Sequence, residues 1–160
     1  MRIGSEPTRL ALILYIPNVP ILGVNTWRGN DCCRWKGVLC SSRTSHVVEL
    51  DLSSEDYPYN WSLQLHGEMT SSIVTLRHLR YSDITFNDFN GTRIPSFLGT
   101  LRNLRYLNLS HANFMESVPS QFGNLSRLQY LDLTASGTGG LYVLDFSWLP
   151  RLSSLKIFHI

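Results

Sequence analysis

The chain has 160 residues, which allows one domain, and its 43% hydrophobic and 16% charged content is an ordinary globular balance. The formal net charge of +2 comes from fourteen Lys and Arg scattered along the sequence, so nothing points to nucleic-acid binding, which needs a clustered basic face. No run of eighteen or more apolar residues occurs, so these residues encode no transmembrane helix.

Residues 1–25 form an uncertain N-terminal segment. Arg2 and Arg9 precede the apolar run Leu10 to Ile16, the order of a charged region and a short hydrophobic region in a secretion signal. Pro17 and Pro20 interrupt that pattern and no small-x-small cleavage site follows cleanly. A signal remnant, a buried strand and a mis-annotated first exon all remain open as readings.

Residues 26–45 are cysteine-containing, and the text TWRGNDCCRWKGVLC is followed by HVVELDL. Cys32, Cys33, Cys40 and His46 supply four potential zinc ligands, but an adjacent doublet and a wide gap do not match the usual C-x(2–4)-C pairing. His66, His78, His111 and His159 form no H-E-x-x-H or comparable cluster. Neither a metal nor a cofactor is predicted.

Residues 46–160 are repetitive. Leu76, Leu101, Leu125 and Leu152 open equivalent segments at steps of 25, 24 and 27 residues. In the clearest one Leu101, Leu104, Leu107 and Leu109 are followed by a polar turn, Phe114 and Val118-Pro119; Leu76, Leu79, Ile84, Asn87, Phe89 and Ile94-Pro95 fit the same template. A period in the twenties with L-x-x-L-x-L marks a leucine-rich repeat solenoid, an α/β-type repeat with short parallel strands on the concave face and irregular or 3-10 segments on the convex face. One repeat cannot bury its own leucines, and stacking a second at about 4.8 Å covers them and completes the hydrogen-bond ladder. Function is therefore expected on surfaces rather than in a cleft.

The departures are specific. Ser53 to Gln64 is a polar and aromatic insertion, read as a loop, after which Leu65-His66-Gly67-Glu68-Met69 restores the register. Ser82 stands where the repeat wants leucine, and Ala112 and Ser136 stand where its asparagine would bond neighbouring backbone; Asn87 keeps it. Ala135 to Gly140 replaces the F-x-G-x-I-P segment with a more flexible one. The last segment, Trp148 to Ile160, stops on its strand and is expected to leave Leu152, Leu155, Phe158 and Ile160 uncovered, the mark of a fragment or truncated gene product.

The residues Trp27, Asp31, Cys32, Cys33, Trp35, Gly37, Val38, Cys40, His46, Val47, Leu50, Asp51 and Leu52 resemble the N-terminal cap of plant leucine-rich repeat receptors, and Ile94-Pro95-Ser96-Phe97-Leu98-Gly99 and Val118-Pro119-Ser120-Gln121-Phe122-Gly123 resemble the plant-type repeat. The likeness runs from about Trp27 to Ile160 and is to plant receptor-like proteins, including the fungal-xylanase (EIX-type) receptors of plant defence. It implies a disulfide between Cys33 and Cys40. That family's cap has an earlier cysteine that pairs with the first of the doublet, and none precedes Cys32 here, so either Cys32 is a free thiol or the true N-terminus is missing. The resemblance further implies perception of a peptide or protein ligand outside the cell or at the plasma membrane surface. A receptor kinase would serve as co-receptor, and membrane attachment would run through a segment absent from this chain. A secreted inhibitor similar to the polygalacturonase-inhibiting proteins, and a non-functional remnant, are the alternatives.

In register, the strands align Tyr81, Tyr106 and Tyr130 in one column, Asp51, Asp83, Asn108 and Asp132 in the next, and Arg80, Arg105 and Gln129 beside them. These residues, with Phe86 and His111 one step outside the motif, are the ligand-face candidates, against the plainer reading that Y-L-D-L-S is the scaffold's habit. The carboxylate column has no nucleophile, metal cluster or enclosing pocket beside it, so no catalytic residues and no enzyme are predicted. Four glycosylation sequons begin at Asn60, Asn90, Asn108 and Asn124 and fit a secretory route, although a glycan on Asn108 would cover part of the face.

Overall fold

A computed structural model describes residues 14–15, 31–54, 64–135 and 141–160. The rest of the signal-like segment, Trp27, the middle of the insertion with the Asn60 sequon, and Ser136 to Gly140 lie outside the described residues.

Ten short strands occur among the described residues: β1 Leu14–Tyr15, β2 Val38–Cys40, β3 Val47–Asp51, β4 Glu68–Met69, β5 Tyr81–Asp83, β6 Tyr106–Asn108, β7 Glu116–Ser117, β8 Tyr130–Asp132, β9 Leu141–Tyr142 and β10 Ile157–His159. The main sheet runs β2-β3-β5-β6-β8-β10. Its last five strands are parallel and one repeat apart, with Glu49, Tyr81, Tyr106, Tyr130 and Ile157 in register. This is a leucine-rich repeat solenoid, and the predicted fold class and columns are observed.

Each turn of the coil closes the same way. After the strand the chain crosses to the convex side and makes a 3-10 turn, at Ser71–Thr75, Ser96–Thr100 and Ser120–Asn124. Pro95 and Pro119 stand just before two of these, extended at φ −68° and −70°, where the missing N–H costs nothing. Gly99 has a physical necessity: a Cβ there would run into the backbone of Gln121 on the next turn. A smaller set of pairings closes the flank, with β7 parallel to β9 and β1 antiparallel to β4.

The core is a set of ladders. Leu76, Leu101, Leu125 and Leu152 form one, Leu79, Leu104 and Leu128 another, and all are at most 4% exposed. Phe89 and Phe114 stack with centroids 4.7 Å apart. Ser82, 3% exposed, sits in register between Leu50 and Leu107, so a polar residue interrupts the leucine column. Leu152 differs from expectation: it is 4% exposed, because it packs back onto the preceding turn rather than forward. Phe158 is half-buried and meets Trp148 edge to face, whereas Ile160 is exposed.

The cap covers the first parallel strand. β2 pairs antiparallel with β3 and removes its open edge. Gly37, at φ +78°, makes the turn into β2, and its carbonyl accepts from the Asp51 N–H at 2.7 Å. Cys33 and Cys40 are joined in a disulfide with Cα atoms 5.5 Å apart, and Asp31 Oδ1 accepts from the Cys33 N–H at 3.1 Å. Cys32 lies outside that bond and is 4% exposed beside buried Trp35. The three sulfurs fall within 4.8 Å of one another, but two are consumed by the disulfide, leaving one thiol for any metal.

Candidate recognition face

The concave surface is built from the residues that flank the inward leucines of each strand. Its tyrosine column is continuous: Tyr81 stacks on Tyr106 at 4.2 Å and Tyr106 on Tyr130 at 4.4 Å, with rings within 10° of parallel. His159 meets Tyr130 edge to face at 5.9 Å. Rings in register at strand spacing have little choice but to stack, so the column is rigid. All three tyrosines are half-buried, leaving ring surface facing solvent.

The acidic column does a different job. Asp83 is only 8% exposed; its Oδ1 accepts from the Thr85 N–H at 2.9 Å and from the Thr85 hydroxyl, and its Oδ2 accepts from Tyr106 Oη at 3.3 Å and Asn108 Nδ2 at 3.2 Å. Asn108 bonds Ser110, Asp132 bonds Thr134 and Asp51 bonds Ser53 in the same way. These are side-chain turns that end each strand, so the predicted contact Asp83 belongs to the scaffold. A D/N-x-S/T pattern at 51, 83, 108 and 132 was the sequence signal for this role.

The electrostatics follow. Desolvation, then the charge of Asp83, pushes Tyr81 and Tyr106 up to about 12, and burial with Asp132 does the same for Tyr130. Burial pushes Asp132 up, but hydrogen bonds from Thr134, His159 and Tyr130 outweigh it and hold the carboxyl below the usual range. His159 Nδ1 lies 3.1 Å from Asp132 Oδ2.

The remaining candidates divide by exposure. Arg80 and Arg105 are exposed along one border, with Gln129 half-buried in the same row. Phe86 and His111 stack at 4.8 Å, both left-handed at φ +58° and +53°, beside the column at its other end. Asn90 and Asn124 are exposed. Asn108 is 9% exposed with its amide donated to Asp83, so a glycan on that nitrogen would displace a buried hydrogen bond.

No protein-family model matches the chain. Among curated proteins, receptor-like protein EIX1 of Solanum lycopersicum is 38% identical over 146 residues, 86% of this chain and 14% of that protein. Receptor-like protein EIX2 of the same plant is 40% identical over 102 residues, 61% of this chain and 10% of that protein. The curated homologues of this chain are plant receptor-like proteins. It therefore corresponds to a small part of the receptor-like proteins' length. Among solved structures, the PEPR1–AtPEP1 crystal structure superposes with a TM-score of 0.74 at 26% identity, over 98% of this chain and 21% of that one. The ectodomain of the receptor kinase SOBIR1 from Arabidopsis thaliana gives 0.65 at 23% identity, over 94% and 75%, a likeness of fold alone. No described helix is long and apolar enough to cross a membrane.

Proposed function

We propose that these residues form part of the extracellular ligand-recognition surface of a plant receptor-like protein, and that the concave face binds a peptide or protein. The stacked column of Tyr81, Tyr106 and Tyr130 carries this reading, since large amphipathic rings already held in place gain contact area at little entropic cost. The likeness to PEPR1, solved with AtPEP1, supports a peptide as the class of ligand. In this reading the chain serves defence or developmental signalling through a receptor kinase partner, and its likeness to plant receptor-like proteins supports that role. In this reading Arg80, Arg105, Phe86, His111 and Gln129 contact the ligand, Asp83 and Asp132 fix the tyrosines, and the exposed Asn90 and Asn124 accept glycans.

Selection of a displayed random-peptide library on the disulfide-bonded chain tests this. Selected peptides should lose at least about ten-fold in affinity on Tyr106→Ala, a typical loss for a central aromatic anchor, and be unaffected by Gln121→Ala on the convex side. Peptides that bind Tyr106→Ala undiminished, or that respond to the convex substitution instead, overturn it.

A further inference from the structure

We propose that the border of the concave face on which the strands begin binds an acidic, extended stretch of polypeptide. This inference rests on reading the concave face as a recognition surface, and adds the chemistry of the ligand.

Arg80, Arg105 and Lys156 are dispersed in the sequence but adjoin in the fold. Backbone bonds fix the rows: Arg80 N–H donates to Val48, Arg105 to Arg80, Gln129 to Arg105 and Lys156 to Gln129, at 2.8 to 2.9 Å. Arg80, Arg105 and Lys156 thus stand in one row, spaced at multiples of about 4.8 Å. The four segments 76–80, 101–105, 125–129 and 152–156 contain no Asp or Glu. Arg127 lies in the next row outward, donating to Asn103 Oδ1 at 2.7 Å.

At the cap end the row opens into a cleft of about 380 Å³ lined by Ser41, Arg43, Thr44, Val48, His78 and Arg80. His78 stacks on His46 at 4.1 Å. Arg43, Arg80, Arg105 and Lys156 are exposed, and among the described residues none is bridged to a carboxylate; Arg93, which is bridged to Glu116, lies outside this border. The acids of the same face, Glu49, Asp51, Asp83 and Asp132, stand further along the strands, and Asp51, Asp83 and Asp132 are turned onto Ser53, Thr85 and Thr134. The face is thus split into a positive border and a negative centre, a field that favours a negative ligand on the border alone.

The length also fits. From the row position of Val48 to that of Lys156 is four strand spacings, about 19 Å, which about six extended residues span at about 3.3 Å each. Alternate side chains of such a segment point the same way, so acidic residues at every second position face the border while the others reach the tyrosine column.

The test is fluorescence anisotropy of the disulfide-bonded chain with a labelled peptide of alternating Glu and Leu, seven residues long, against its Gln-for-Glu analogue. The Glu peptide should bind saturably and at least about ten-fold more tightly than the analogue. Binding should collapse between about 0.1 M and about 1 M salt, as the screening length falls from about 10 Å to about 3 Å. Arg80→Gln with Arg105→Gln should weaken it at least about ten-fold, and Arg93→Gln should leave it unchanged. Equal affinity for the two peptides, or insensitivity to the paired substitution in a protein whose circular dichroism is native, overturns the proposal. So does saturable binding of oligogalacturonate with none of the Glu peptide, which would make the border a polysaccharide site. Loss of binding on Arg80→Gln with Arg105→Gln but not on Tyr106→Ala supports the border while removing the tyrosine reading; loss on Tyr106→Ala alone does the reverse.

Discussion

Replacing Asn87 by alanine should be among the most damaging single changes in the chain. Asn87 is 2% exposed; its Oδ1 accepts from the Leu65 N–H and its Nδ2 donates to the carbonyls of Leu52 and Ile84, each at 2.8 Å. It ties two turns of the coil across a separation of 35 residues. Alanine leaves three buried backbone groups unpaired at about 1–3 kcal/mol each, and since a water can enter the vacated volume the low end applies, about 3 kcal/mol in all. For a chain this size that lowers Tm by about 6–12 °C, readable by thermal and urea unfolding. Asn87→Asp should be no better, because it sets a second oxygen against two carbonyls. The neighbouring turn offers the converse experiment: Ala112 occupies the equivalent position beside a void of about 10 Å³, lined by Leu109, Phe114 and Leu141 among others, about the room one water needs. Ala112→Asn should raise stability by about 1 kcal/mol by completing the ladder. A loss below about 1 kcal/mol for Asn87→Ala would refute the assignment of cross-turn cohesion to these bonds.

Three further outcomes are expected. Reducing or removing the Cys33–Cys40 bond, which joins residues seven apart, should cost about 2.5 kcal/mol on the chain-entropy account, measured as a fall in Tm with reductant that a Cys33→Ser, Cys40→Ser chain no longer shows. Gly99→Ala should cost about 1–3 kcal/mol because its Cβ meets the Gln121 backbone, whereas Gly123→Ala should be nearly neutral because its Cβ meets the movable Arg151 guanidinium; equal unfolding midpoints would refute this packing. Tyr81, Tyr106 and Tyr130 should ionise late, near pH 12, in a spectrophotometric titration. Because their folded pKa is raised above the unfolded 10, the associated stability is full below pH 10 and lost as pH rises toward 12. Asp83→Asn should bring Tyr81 and Tyr106 down and leave Tyr130 in place.

The fold was legible because its determinants are local and periodic. Leucines at fixed spacing, Gly99 and Gly123 on the convex turns and the prolines before two of the 3-10 segments repeat often enough to be read from the text, and so does the register of the tyrosine column. What was not legible depends on contacts between turns. Asp83 reads as an exposed member of a carboxylate column until its bonds to Thr85, Tyr106 and Asn108 show it turned inward. Leu152 reads as uncovered until the preceding turn is seen beneath it. The Asn108-Leu109-Ser110 sequon has the same spacing as Asp83-x-Thr85 and Asp132-x-Thr134, so there the side-chain turn that ends the strand is enough to explain the residues.

The same periodicity explains how charge dispersed in the sequence adjoins in the fold. A residue class that recurs once per turn is dispersed along the chain yet adjacent in space, so Arg80, Arg105 and Lys156 look scattered in sequence while standing in one row of the sheet. In a solenoid the step of 24 to 27 residues converts sequence distance into lateral adjacency, and composition must be read column by column. Read that way, the concave face has three rows of distinct chemistry: cations that face solvent, aromatic rings locked by stacking, and carboxylates occupied by the scaffold. On the proposed reading the first two meet a partner, and this division makes Arg80 and Tyr106, rather than Asp83, the residues whose substitution should alter binding without altering the coil.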